Sequence, residues 1–278
     1  MANGRSPFYR TWNLMKHTPR KRFGQHFLKD QIILEEITRA ISPRPTDLMV
    51  EIGPGLGALT SSLLHKIPLL HVIELDRDLA KRLKDNDTSG KLTVHQADAL
   101  KFDFELISQT SEQKMRIVGN LPYNISTPLL FHLTQFIPLV KDQYFMLQKE
   151  VVERMVANPG TKAYGRLSVM LQWLYHMDLL FSVPPDAFNP PPKVMSAIVR
   201  MIPNRHPLVC DSAKLEKTLT TAFSQRRKVM RNAMAPLFDE NKLISAGIDP
   251  ARRAEEISVE QFVALANQLA PVPDRKQG

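Results

Sequence analysis

Apolar and polar positions follow two rhythms along this chain. Short apolar runs at 47–53 (DLMVEIG), 69–75 (LLHVIEL), 91–96 (KLTVHQ), 115–120 (MRIVGN) and 142–148 (DQYFMLQ) have the length of strands. Between and beside them, 30–41, 58–66, 76–85, 127–136 and 149–156 carry the 3.6-residue period of helices. Asp30 stands at an N-cap position, Pro43 and Pro45 stop the helix that follows it, and Pro128 falls in a first turn, where its missing N–H does no harm. A helix over 165–176 and strands over 178–184 and 193–202 complete the alternation. Strand and helix in turn predict an α/β fold with a parallel, doubly wound sheet.

After Pro203 no strand pattern remains, and KLEKTLTTAFSQ, RRKVMRNAMAPLF and VEQFVALANQLA read as three helices. The expected organisation is a flexible basic arm over 1–22, an α/β domain over 23–204 and a small all-helical domain over 205–278.

Charge narrows the partner. Lys and Arg number 37 against 28 Asp and Glu, a net +9 in 278 residues, which suits a polyanion such as nucleic acid. Arg20, Lys21 and Arg22 in the arm and Arg226, Arg227, Lys228 and Arg231 near a helix are the candidate phosphate contacts, with Arg227 and Arg231 at i, i+4. Cys210 is the one cysteine, so neither an internal disulfide nor a cysteine-based metal site is expected, and the histidines show no metal-ligand spacing. No run reaches the roughly 18 apolar residues of a membrane helix, and the basic N-terminus lacks an apolar core. A cytoplasmic, metal-free, monomeric protein without membrane attachment is expected.

The candidate chemistry follows the strands. Gly53, Gly55 and Gly57 lie between the first strand and its helix, where a glycine turn lets backbone approach a ligand and aims N–H groups at it. GPGLGA fits a dinucleotide fingerprint as well as an S-adenosylmethionine loop. Glu74 ends the second strand, 21 residues after Gly53, where an acid can accept from both hydroxyls of a ribose. Asp98, beyond the third strand, can accept from an adenine amino group or simply cap the next segment. In a strand order 3-2-1-4-5 these residues share one rim with GNLPY, which follows the fourth strand.

NLPY can hold a planar amino group. The Asn120 side-chain oxygen and the Leu121 carbonyl are acceptors, Pro122 stiffens the turn and removes a competing donor, and Tyr123 offers a face for stacking. An aromatic amine is a poor nucleophile because its lone pair is delocalised. Accepting its N–H bonds favours a pyramidal nitrogen whose lone pair points at a methyl donor, so rate comes from alignment and charge-matched hydrogen bonds. Phe188, in the stiff FNPPPKV loop, can cover the other face of a flipped-out base or be a buried Phe in a connector.

RKRFGQHFL, VEIGPGLG, IELDRD, GNLPYNIST, FMLQKEVVERM, YGRLS, FNPPPKV, AFSQRRKVMRN and GIDPARRAEEIS together resemble the ribosomal RNA adenine dimethyltransferases, over about Arg20 to Leu269. The resemblance implies a Rossmann-type S-adenosylmethionine-dependent methyltransferase sheet with a late antiparallel strand and a helical C-terminal domain. It implies transfer of four methyl groups to two adjacent adenines in the 3′-terminal hairpin loop of 16S rRNA, within a pre-30S particle. The family's cofactor positions fall on His26, Leu28, Gly53, Glu74, Asp98 and Asn120, and its base-pocket positions on Asn120 to Tyr123 and Phe188. His26 stands where the family pattern carries Asn. A side-chain contact there would make cofactor affinity sensitive to pH near neutrality, and a backbone contact would not.

Three other readings remain open at this level. An adenine methyltransferase acting on DNA would use the same amino-group pocket. An NAD-dependent oxidoreductase would use the glycine loop but leaves NLPY without a task. A binding protein that checks ribosome assembly can coexist with catalysis.

Overall fold

Proline, glycine and buried β-branched runs divide the chain much as the pattern predicts. The computed structural model describes residues 25–225 and 227–270. The basic arm over 1–22, with Arg20, Lys21 and Arg22, lies outside the described residues, as does Arg226.

In chain order the elements begin with a two-residue strand, β1 (Phe27–Leu28), and the helix α1 (Gln31–Ile41). Asp30 caps α1 by accepting from the Ile32 and Ile33 N–H groups, and Ser42 closes it in the left-handed conformation ahead of Pro43. Then come β2 (Leu48–Ile52), α2 (Ala58–Leu64), β3 (Leu70–Glu74), α3 (Arg77–Asn86), β4 (Leu92–Gln96), the single turn α4 (Glu105–Ser108), β5 (Met115–Asn120), α5 (Ser126–Leu133) and β6 (Val140–Gln148). The helix α6 (Lys149–Met155), α7 (Arg166–Leu174), β7 (Tyr175–Val183), β8 (Phe188–Asn189) and β9 (Ser196–Pro203) follow. The remaining helices are α8 (Ser212–Phe223), α9 (Met230–Met234), α10 (Glu240–Ser245) and α11 (Val259–Ala266).

One sheet carries seven strands in the order β4-β3-β2-β5-β6-β9-β7. The pairs from β4 to β6 are parallel, and β9 runs antiparallel to β6. This is the expected doubly wound order with a late antiparallel strand. Every residue of β2 and β3 is buried, as parallel strands covered on both faces require. A second, two-stranded ribbon pairs β1 with β8. Its strands are too short to show periodicity, and the sequence pattern did not reveal it.

At the end of the sheet away from the cleft, the Arg116 guanidinium bonds Asp47 at 2.7 Å, Asp142 at 2.8 Å and the Ile41 carbonyl at 2.7 Å. It ties the last turn of α1 to the starts of β5 and β6.

Two units divide the chain: residues 25–152 with Asp178–Pro203, and Glu153–Met177 with residues 204–270. The helix α7, which the pattern assigns to the α/β domain, therefore belongs to the helical unit. There Tyr164, Phe223 and Phe262 pack ring against ring at 6.4 and 5.7 Å, and Tyr164 donates to the Ile257 carbonyl at 2.9 Å. No helix among the described residues is long and apolar enough to cross a membrane.

Candidate active site

The C-terminal ends of β2, β3, β4 and β5 open onto one cleft of about 360 Å³. Residues after all four strands line it, including Gly53, Gly55, Glu74, Asp98 and the NLPY stretch.

Gly53, Gly55 and Gly57 have φ of 68°, 58° and 84°, a region that only glycine enters at little cost. The expectation that they aim N–H groups at a ligand is corrected by their partners. Gly53 donates to the Ile73 carbonyl, Gly55 to Glu74 Oε2 and Gly57 to the Pro54 carbonyl. Gly57 also does not line the cleft; it stands at the start of α2. What the turn supplies is room. A Cβ on Gly55 would meet the Phe27 ring at 3.0 Å, and one on Gly53 the Asn120 carbonyl oxygen at 3.6 Å.

Glu74 is buried at the rim. Its two oxygens accept from the Gly55 N–H at 3.2 Å and the Asp76 N–H at 2.8 Å. Burial raises its pKa, against the lowering effect of these donors. Asp98 Oδ1 accepts from the Leu100 N–H at 3.0 Å, so one oxygen shapes the turn while the residue faces the cleft. A third acid, Glu51, also lines the cleft; the sequence reading passed over it because it sits inside an apolar strand run.

Asn120 ends β5. Its Nδ2 donates to the His26 carbonyl at 2.9 Å, which makes Oδ1 the acceptor left to the cleft. The Pro122 carbonyl accepts from the Ile125 N–H at 3.1 Å and closes the turn. Leu121 donates its own N–H to the Met146 carbonyl at 3.1 Å, which anchors the turn to β6. Tyr123 is half-buried, its hydroxyl 2.7 Å from Ser196 Oγ. Gln25 and Phe27, which the sequence pattern does not single out, also line the cleft.

Comparison with known proteins accords with this geometry. Residues 16–271 match the ribosomal RNA adenine dimethylase family. The chain belongs to that family. It is 62% identical over 255 residues to ribosomal RNA small subunit methyltransferase A of Janthinobacterium sp. (strain Marseille), covering 92% of this chain and 100% of that one. It is 63% identical, with the same coverage, to the protein of the same name from Herminiimonas arsenicoxydans. Among solved structures, a dimethyladenosine transferase from Plasmodium falciparum aligns with a TM-score of 0.73 and 27% identity over 86% of this chain and 96% of that one. The 23S rRNA methyltransferase ErmE shares the fold, with a TM-score of 0.68 at 24% identity over 87% of this chain and 99% of that one.

For a dimethylase of this family the cleft's chemistry fits S-adenosylmethionine. Three carboxyl groups, Glu51, Glu74 and Asp98, line it, and no Lys or Arg among the described residues does. Such a lining, rich in oxygen acceptors and without a fixed cation among the described residues, suits ribose hydroxyls, an adenine amino group and a cationic sulfonium. It does not suit the doubly negative pyrophosphate of a dinucleotide, which the committed glycine N–H groups would also leave without donors. His26 and Leu28 also line the cleft.

Two expectations are corrected. Phe188 is 1% exposed and packs in the apolar core with Leu28 and Val183, so its ring is a core side chain and not a lining one. Pairing of β8 with β1 turns it inward. Arg227 and Arg231 do not share a helix face, because α9 starts only at Met230. The backbone before it bonds elsewhere: Val229 bridges Arg253, and the Met230 N–H donates to the Arg252 carbonyl. Arg227, Lys228 and Arg231 are all exposed.

Proposed function

We propose that this protein transfers four methyl groups from S-adenosylmethionine to the N6 atoms of two adjacent adenines in the 3′-terminal hairpin loop of 16S rRNA, within a pre-30S particle. Membership of its family makes it an rRNA adenine dimethyltransferase. The observation that supports the amino-group pocket is the bond from Asn120 Nδ2 to the His26 carbonyl, which leaves Oδ1 to accept.

Bound S-adenosylmethionine supplies a methyl group on an activated sulfonium. Glu74 would accept from its ribose hydroxyls, and Asp98 from its adenine amino group. Asn120 Oδ1 and the Leu121 carbonyl accept the two N–H bonds of the target amine, and Tyr123 stacks on the base. The two acceptors turn the nitrogen lone pair toward the methyl carbon and stabilise the positive charge that builds on the amine. The proton leaves afterwards to water. Apolar walls around these few polar groups keep their hydrogen bonds strong.

The test is Asn120→Ala with undermethylated small-subunit particles and labelled cofactor. Single-turnover methyl transfer should fall about 10²–10³-fold, as when one charge-stabilising group is removed. Mapping should place the wild-type methyl groups on two neighbouring adenines. Full activity in the variant overturns the amino-group pocket, and methyl transfer to duplex DNA in preference to particles overturns the substrate.

A further inference from the structure

His26 meets the site three times. Its carbonyl accepts from Asn120 Nδ2 at 2.9 Å, its ring stacks on Tyr123 with centroids 5.7 Å apart and planes inclined by 29°, and its Nδ1 lies 2.8 Å from the Pro190 carbonyl oxygen. A carbonyl has no proton to give, so Nδ1 carries it. That bond fixes both the tautomer and the plane of the imidazole.

Tyr123 needs such a neighbour. Its hydroxyl is anchored 2.7 Å from Ser196 Oγ, but the phenolic oxygen lies on the axis about which the ring turns. A hydrogen bond on the axis holds the ring's position and leaves its plane free. Torsions of this kind are broad unless a packed face limits them. The imidazole is that face.

We propose that the His26 side chain is a positioning residue for the target base, setting the plane of the Tyr123 ring on which adenine stacks, while only the backbone at this position serves the cofactor half of the cleft. The proposal rests on the reading of Tyr123 as the stacking platform. It also accounts for a histidine where the family pattern carries asparagine. Either side chain can donate to the Pro190 carbonyl, but only histidine adds a ring against Tyr123.

The test separates affinity from turnover. His26→Ala and His26→Phe would be compared with wild type for S-adenosylhomocysteine affinity by calorimetry. Single-turnover methyl transfer to undermethylated particles would be measured at saturating cofactor and particle. His26→Ala should keep the affinity within about twofold and lose about tenfold in rate, the size of one aromatic pair. His26→Phe, which keeps a ring, should stay within about threefold of wild type. In a Tyr123→Leu background His26→Ala should have no further effect, because its only route is gone.

Weakened cofactor affinity, with or without a loss of rate, overturns the proposal, as does an unchanged rate or an additive loss in the Tyr123→Leu background. If His26→Ala does not fold, His26→Asn, which keeps a donor for Pro190, goes through the same measurements with the same expectations. Absence of methyl transfer by the wild type would instead sink the substrate reading, so the two failures are distinct.

Discussion

Glu51 shows how far one residue's surroundings can move its chemistry. It is 2% exposed in the middle of β2, and its Oε2 accepts from the Thr60 hydroxyl at 2.7 Å. Burial pushes its carboxyl up to about 8, the Thr60 bond opposes this, and the neighbouring Glu74 charge adds to it. The folded chain therefore keeps a proton here that the unfolded chain releases above about 4.5. Folding binds a proton throughout that window, so the stability tied to it is complete below the unfolded value and is lost as pH rises toward about 8. Glutamine keeps the shape and the acceptor for Thr60 without the ionisation. Glu51→Gln should leave the melting temperature unchanged near pH 5 and raise it by about 3 °C or more near pH 8.5, since each kcal/mol is worth roughly 2–4 °C in a domain of this size. Melting curves at the two pH values decide it, and equal temperatures at the higher pH would mean that Glu51 ionises in the fold at little cost.

At the scale of elements, β2 and β5 approach so closely that one position admits no side chain. A Cβ on Gly119 would sit about 2.4 Å from the Ile52 carbonyl oxygen, a main-chain atom of β2 held by its parallel pairing with β3. Nothing flexible can yield, so Gly119→Ala should cost about 3 kcal/mol and displace Asn120 next to it. Gly165→Ala, with open space around the added carbon, should cost no more than about 1 kcal/mol, the size of an N-cap preference at the start of α7. Denaturant titration of both variants tests the contrast; equal midpoints would show that the ladder can open there. The strands themselves were legible because β2, β3 and β5 are apolar runs buried on both faces. The join between α7 and β7 was not, because WLYHMDLLF stays largely apolar while the backbone changes from helix to strand at Tyr175. RRKVM reads as helix by propensity, yet main-chain bonds to Pro250 and Arg252 shorten α9 to five residues. In the site, Glu74, Asp98 and NLPY were legible because strand order alone sets them on one rim. The internal partners of the glycine N–H groups were not, since they depend on how the turn seats against the end of β3, and neither was the burial of Phe188, which depends on its pairing with β1.

For the whole molecule, the net charge of +9 sits uneasily with a cleft that, among the described residues, is lined by carboxyl groups and by no Lys or Arg. The two facts are reconciled if the cleft takes in only an uncharged base and a cationic cofactor while the RNA phosphates are met elsewhere. The helical unit offers such a surface. Arg227 and Lys228 are exposed in the turn before α9, and Arg231 is exposed on it. Backbone bonds bring Arg252 and Arg253 beside that turn, a grouping that sequence spacing does not reveal. Arg231 lies 3.8 Å from the acidic Glu240, with both side chains about half exposed. A pair this long and this wet is worth little and does not withhold Arg231 from a phosphate. Each phosphate contact releases counterions and contributes about 0.9 to the slope of log affinity against log salt. Arg227→Ala combined with Arg231→Ala should therefore weaken binding to undermethylated particles and flatten that slope by about 2, while S-adenosylhomocysteine affinity stays as in wild type. Binding measured across a salt series gives the slope directly. An unchanged slope would move the phosphate contacts off this surface, and a change in cofactor affinity would mean that the substitutions reach the α/β unit instead of the RNA.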